Sequence, residues 1–282
     1  MNSDLYEADL HCHTTASDGL LSPTELVQSA AKLGLKAIAI TDHDTILGWE
    51  EAGEAGLAYQ ITILKGVELN TNWQDKEVHI LGYELDGSAA PFTDKLKDLQ
   101  KAREKRIVKI LSRLKGLGMD LAIDEVQQFA QGESIGRPHI GRALVERGYV
   151  QSIREGFDRY IGLGAPAYVP SLKLTPEEGI SLIREARGVA VLAHPGILRL
   201  DEGIPAWVKA GLQGIEVSHS EHQPEDEKRY QRIAQEYRLL TTGGSDFHGE
   251  ACKPGVNLGG WGVSLEVLQQ ILDLAQHNKC YR

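Results

Sequence analysis

The stretch AIAITDH, residues 37–43, decides how the rest of the chain is read. Ala37 to Thr41 is an apolar run of strand length without polar alternation, as expected for a strand buried on both faces, and it breaks off in Asp42 and His43. The same pattern recurs along the chain. Leu5–Leu10 leads to His11, Cys12 and His13, Ile61–Val67 leads to Glu68, and Val78–Leu81 encloses His79. Val189–Ala193 then leads to His194, Gly214–Val217 to Ser218 and His219, and Leu239–Ser245 to Asp246, Phe247 and His248. These seven runs are candidate strands whose composition suits parallel pairing under covering helices.

Helix signals fall between them. Ser22, Pro23 and Glu25 supply an N-cap, a first-turn proline and a capping-box carboxylate ahead of Leu26, Val27, Ala30 and Leu33 at helical spacing. Thr175, Pro176 and Glu178 repeat the device, and Pro224–Tyr237 and Ser264–His277 are further amphipathic candidates. Alternating strands and helices make the chain α/β. Polar residues gathered at strand C-termini favour a barrel, whose chemistry sits at that face. A doubly wound open sheet is the alternative, but it concentrates ligands at one switch point.

From about Ala90 to Pro170 strand signals vanish and helix formers dominate. The expected organisation is therefore a barrel made of residues 1–90 and 170–282 with a helical insert, 91–169. Its first helix, predicted over Phe92–Leu117, is rich in Lys and Arg; it reads as a solvated face, the alternative being a basic lip over the active site. GESIGRPHIGR, residues 132–142, places Arg137 and His139 where a loop enters a helix. Those two could hold a phosphate or could simply pack the loop.

Composition narrows the function classes. A chain of 282 residues can bury a substantial core, and a formal charge of −10 argues against broad nonspecific binding to nucleic acid. No apolar run approaches membrane-spanning length, and Met1–Asp9 is polar and acidic, so a cytoplasmic location is expected. Three cysteines, Cys12, Cys252 and Cys280, form no CxxC pair and suit a reducing compartment.

His11 and His13 lie two apart on a strand, so they point the same way and can meet one ion, with Cys12 on the opposite face. Asp246 and His248 could do likewise if extended. Each residue has an ordinary explanation: Asp18 before Gly19 as a turn aspartate, the residues around His43 as a helix cap, Glu68 as a strand-end carboxylate, His79 and His194 as satisfied core histidines. Jointly these explanations require the same coincidence at successive strand ends.

Taken together, His11-Cys12-His13, Asp18-Gly19, Thr41-Asp42-His43-Asp44, Gly66-Val67-Glu68, His79, Ala193-His194-Pro195 and Ser245-Asp246-Phe247-His248 resemble the PHP (polymerase and histidinol phosphatase) family, in its nucleotide phosphoesterase branch with a helical insert. The resemblance implies a distorted seven-stranded (β/α)7, TIM-like barrel with up to three divalent ions. His11, His13, Glu68 and Asp246 would hold the first, Glu68 would bridge to a second on His79 and His194, and Asp18, His43 and His248 would hold the third. Nitrogen and carboxylate donors without thiolate suit manganese first, with iron or zinc as alternatives.

Three such ions bring about six positive charges against about three from Asp18, Glu68 and Asp246, so the centre needs anionic partners, which a phosphate and a bridging hydroxide supply. The implied reaction is attack by that hydroxide on a phosphate monoester of a small nucleotide, a 3′,5′-bisphosphate or a nucleoside monophosphate. His219 could protonate the leaving group, and Arg199, five residues after His194, could clamp substrate phosphate. His222 reads as a solvated loop residue. The alternatives are a 5′-3′ exoribonuclease on short RNA, a histidinol-phosphate phosphatase and a non-catalytic metal-binding module. No obligatory protein partner and no membrane association are expected.

Overall fold

The computed structural model describes residues 6–130, 135–170 and 174–280. Part of the expected first strand (Leu5) and of the 132–142 motif (Gly132 to Ser134) lies outside them. Seven strands form one sheet in chain order: β1 (Ala8–Cys12), β2 (Ala37–Ile40), β3 (Thr62–Trp73), β4 (Lys76–Tyr83), β5 (Val189–Leu192), β6 (Gly214–His219) and β7 (Leu240–Gly244). β1 and the segment after β7 then meet, nearly closing a barrel. The Asp246 N–H donates to His11 O at 2.8 Å, and the His13 N–H donates to Phe247 O at 3.0 Å.

The sheet is not all parallel. β4 runs antiparallel to both β3 and β5, which corrects the expectation of parallel strands. The reason is local. Trp73 pairs with Lys76, leaving only Gln74 and Asp75 between strands, both at positive φ (51° and 64°), as a tight hairpin requires. A parallel neighbour would need a crossover of roughly a dozen residues or more. His79, near the start of a reversed strand, thereby reaches the same rim as the ends of the parallel strands.

The barrel helices follow their caps. α1 (Pro23–Leu33) starts at Ser22, whose hydroxyl accepts from the Glu25 N–H while the Glu25 carboxylate accepts from the Ser22 N–H, and it buries Leu26, Val27 and Ala30. α2 (Trp49–Tyr59) packs beside it. Between β4 and β5 come α3 (Ala90–Gly116), α4 (Ile123–Gln127), α5 (Arg137–Glu146), α6 (Ile153–Gly156) with a π-helical turn at Phe157–Ile161, and α7 (Pro176–Glu185), capped by Thr175. α8 (Ile204–Ala210), α9 (Pro224–Tyr237) and α10 (Leu265–Cys280) complete the chain.

The buried apolar residues along α3 divide between two clusters. Phe92 and Leu96, in the first turns of α3, join the barrel core with Trp207 and Ile183, whereas Ile107, Ile110 and Leu114 further along form a separate core with Ile140, Leu144 and Val169. One long helix is thus rooted in the barrel and carries a second packed unit beyond it. Among the described residues no helix is long and apolar enough to cross a membrane.

Candidate metal centre

The rim of the barrel gathers the predicted ligands around one carboxylate. Glu68, 1% exposed, offers Oε2 to His11 Nε2 (3.2 Å), His13 Nε2 (3.1 Å) and His43 Nδ1 (3.2 Å). Its other oxygen, Oε1, faces His79 Nδ1 (2.8 Å) and His194 Nε2 (3.1 Å). The two oxygens therefore belong to two adjoining clusters. Asp246 Oδ1 completes the first, 3.5 Å from His11 Nε2 and 3.3 Å from His13 Nε2. Cys12 points away into the barrel core.

A third group lies beside these. Asp18 Oδ1 is 3.3 Å from His248 Nε2, and Asp18 Oδ2 is 4.0 Å from His43 Nε2; His13 belongs to this group as well. Asp246 and His248 consequently serve different clusters rather than one ion as extended pairing would have it. Asp246 sits at φ 56°, off the extended region; His248 Nδ1 lies 3.3 Å from Asp246 Oδ1 while its Nε2 faces Asp18.

The chemistry of the donors fits divalent cations. Nε2 of His11, both ring nitrogens of His13, and Nε2 of His79 and of His219 are buried without a hydrogen-bond partner among the described residues, an arrangement that is costly unless something else meets them. Charge points the same way. Burial alone would raise the Glu68 carboxyl, but His43, His79 and His11 hold it well below its ordinary range. Burial would likewise lower His13, yet Asp246 and Glu68 push it up to about 10. The carboxylates thus hold negative charge that bound cations would balance, in place of protons on the neighbouring histidines.

Helices α3 and α5 bring arginines to this rim. A cavity beside the centre is lined by His43, His79 and His248 from the barrel and by Arg103, Arg106 and Arg137 from α3 and α5. Arg137 pairs with Glu77 of β4 at 2.6 Å, Arg106 approaches the same carboxylate at 3.6 Å, and Arg103 pairs with Asp44. The basic helix therefore has two faces, with Lys97, Lys101, Lys105 and Lys109 exposed to solvent and Arg103 and Arg106 turned to the cavity.

His139 does not join them. It is buried, and its Nδ1 accepts the Gly136 N–H at 2.9 Å, fixing the start of α5. Burial holds its imidazole down to about 4, against 6.5 when unfolded. The unfolded chain therefore takes up a proton that the folded one refuses, and stability falls as pH drops through that window, by roughly 3 kcal/mol in full. Urea unfolding between pH 7.5 and 4.5 should show His139→Gln losing less stability on acidification than the unsubstituted protein; parallel slopes would refute the assignment.

Arg199 lines neither cavity; it is half exposed and pairs with Asp226 at 2.9 Å. His222, expected in solvent, is buried. Its Nδ1 bonds Val217 O and its Nε2 accepts the Gly196 N–H, tying the loop after β5 to the end of β6. His219 is fully buried, with Nε2 3.5 Å from Asp246 Oδ2 and Nδ1 accepting the Glu221 N–H.

The PHP domain model matches residues 9–168. The chain belongs to the PHP family. Among similar proteins, a 5'-3' exoribonuclease of Haemophilus influenzae is 37% identical over 85% of this chain and 89% of its own length. A 3',5'-nucleoside bisphosphate phosphatase of Chromobacterium violaceum is 35% identical over 85% of this chain and 86% of its own. The structure of a candidate metal-dependent phosphoesterase from Bifidobacterium adolescentis matches with a TM-score of 0.90 at 35% identity, covering 95% of this chain and 96% of that one. The protein is a metal-dependent phosphoesterase of this family, a hydrolase, which sets aside the non-catalytic binding module.

Several residues that build this PHP site went unnoticed in the sequence. Glu216, in the middle of β6 and 0% exposed, lies 3.1 Å from His11 Nδ1 and accepts the His194 N–H at 2.8 Å. It thereby turns His11 Nε2 toward Glu68 and Asp246. A lone carboxylate inside an apolar strand was its signal. Asp9, buried in β1, accepts from Ser245 N–H, Ser245 O–H and Gly259 N–H, sewing the barrel seam. Asp42, quoted in the sequence motif but given no role there, accepts from the Thr14 N–H and the Ser17 hydroxyl and so holds the loop that bears Asp18. Lys253 reaches Asp246 Oδ2 at 2.5 Å and Glu221 at 2.8 Å, leaving Asp246 Oδ1 for His11 and His13. Glu216→Gln should lower metal affinity, and activity at limiting metal, by about 10–100-fold, as for other carboxylates behind a metal-binding histidine. Metal titration checks this, and an unchanged affinity would count against an orienting role.

Proposed function

We propose that the protein removes a phosphate from a small nucleotide, a 3′,5′-nucleoside bisphosphate or a nucleoside monophosphate, at a centre of up to three divalent ions. The observation that carries this reading is Glu68 ringed by histidines, several with ring nitrogens that lack a hydrogen-bond partner among the described residues, beside an arginine-lined cavity that His43, His79 and His248 reach. In this reading His11, His13, Glu68 and Asp246 hold one ion, Glu68, His79 and His194 a second, and Asp18, His43 and His248 a third. We assign manganese, with iron or zinc as alternatives, on the nitrogen and carboxylate donors. Bound there, such ions supply Lewis acidity toward phosphoryl oxygens and lower the pKa of a coordinated water to about 7.

The chain's own residues do the rest. Glu216 orients His11, and Arg103, Arg106 and Arg137 neutralise phosphate oxygens by charge-assisted hydrogen bonds. Burial holds His219 below its ordinary range despite the pull of Glu216. A neutral imidazole whose Nδ1 is taken must carry its hydrogen on Nε2. We therefore assign His219 a hydrogen bond from Nε2 to a phosphate or leaving-group oxygen. A cytoplasmic location is part of the same proposal, on the free cysteines.

A second reading, 5′-3′ cleavage of short RNA, draws on the exposed lysines of α3 and on the H. influenzae relative. Phosphate release decides between them. Protein stripped by chelator and reloaded with manganese is offered adenosine 3′,5′-bisphosphate, AMP, histidinol phosphate and 5′-labelled oligoribonucleotides. Free phosphate from the first two, absent without metal, is expected. Mononucleotides from the oligomers with little free phosphate would overturn the ranking, and turnover of histidinol phosphate alone would overturn both readings.

A further inference from the structure

Two cavities open on the centre, and their chemistries differ. The second, of about 310 Å³, is walled by Val78, Leu163, Leu192, Leu198 and Trp207. It shares Glu77, His79, Arg137 and Phe157 with the arginine-lined cavity, so one molecule can lie across both. His79 and His194, each against Glu68 Oε1, also line it. Its apolar wall continues to the surface at Leu163, Ile197 and Leu198, all exposed. Trp207 is buried, and its indole N–H has no hydrogen-bond partner among the described residues.

We propose that this cavity holds the nucleobase of the leaving group and selects for it by shape and stacking rather than by reading its edge. The proposal rests on the nucleotide reading above and sharpens it. A ligand that fits must join an anionic end, for the arginines and the metal centre, to a flat body with apolar faces. A sugar phosphate would leave the Leu and Trp wall without a partner. A nucleobase offers two flat faces to Phe157 and the leucines. Every base has such faces, so an apolar wall discriminates weakly, whereas a pocket of several donors and acceptors would discriminate strongly. At this volume, near the low end for small-molecule sites, there is room for one nucleoside and not for two stacked ones.

The test compares adenosine 3′,5′-bisphosphate with its abasic analogue, 1-deoxyribose 3,5-bisphosphate, on the manganese-loaded protein, and follows each by phosphate release. KM is expected to be at least about tenfold lower with the base present, the scale of base stacking on aromatic groups. Leu198→Asp and Phe157→Ala should each narrow that ratio to about threefold or less, because binding common to ground and transition states is lost from KM. The four common nucleoside bisphosphates should differ by roughly tenfold at most. Equal KM for the two compounds in the unsubstituted protein would overturn the pocket assignment while leaving the nucleotide phosphatase reading intact. Hydrolysis of neither compound, with another ester turned over, would overturn both. Discrimination among bases beyond about a hundredfold would overturn selection by shape.

Discussion

Glu68→Gln is expected to lower kcat/KM by at least about a thousandfold, with metal content falling in parallel, because the substitution removes the charge that two clusters share. The side chains are close in size, so the fold should survive. The chemistry does not. A carboxylate can offer a lone pair from each oxygen, Oε2 toward His11, His13 and His43 and Oε1 toward His79 and His194. An amide keeps one acceptor and turns an NH2 donor toward the other side. Whichever way it settles, one cluster loses its anion. Metal analysis of the purified variant and phosphate release at saturating manganese read the two losses separately. Full metal content with activity within tenfold would remove Glu68 from the bridging role.

What the sequence disclosed here was position along the chain, and what it concealed was adjacency across it. Strand runs such as Ala37–Thr41 are legible because burial on both faces leaves no alternation, and the polar residues that follow them stand out by contrast. The direction of β4 was not legible. Its hairpin uses Gln74 and Asp75 without a glycine, so the usual turn signal is missing. Glu216 was hidden for a different reason. Its partners, His11 and the His194 N–H, lie about two hundred residues before it and about twenty before it, and only the strand order β5-β6-β7-β1 around the barrel joins them. In α3, basic residues occur on every side, so helical spacing alone could not separate the cavity-facing Arg103 and Arg106 from the exposed lysines. The same limit left His139 open between phosphate binding and loop packing; its partner is the backbone of its own loop.

Gly244→Ala should be a strongly damaging single-methyl change in the barrel. A Cβ at position 244 would lie 2.3 Å from His11 N and 2.4 Å from His11 Cβ, and neither atom belongs to a flexible chain end that could swing aside. β1 must move, yet it is pinned on that side by Asp246 N–H to His11 O and by the Asp9 bonds to Ser245 and Gly259. The strain therefore passes to His11, held between Glu216 and Glu68. Overpacking of this kind costs roughly 3 kcal/mol, and displacing a reacting geometry by about 1 Å costs on the order of a hundredfold in rate. Urea unfolding with chelator present isolates the first effect, and kcat at saturating manganese isolates the second. Gly53→Ala is the matched control, since that glycine lies within α2 with nothing within 4 Å of the added carbon; it should be neutral or stabilising by up to about 1 kcal/mol. If Gly244→Ala unfolds like Gly53→Ala and keeps its rate, the contact between β7 and His11 does not hold the centre in place.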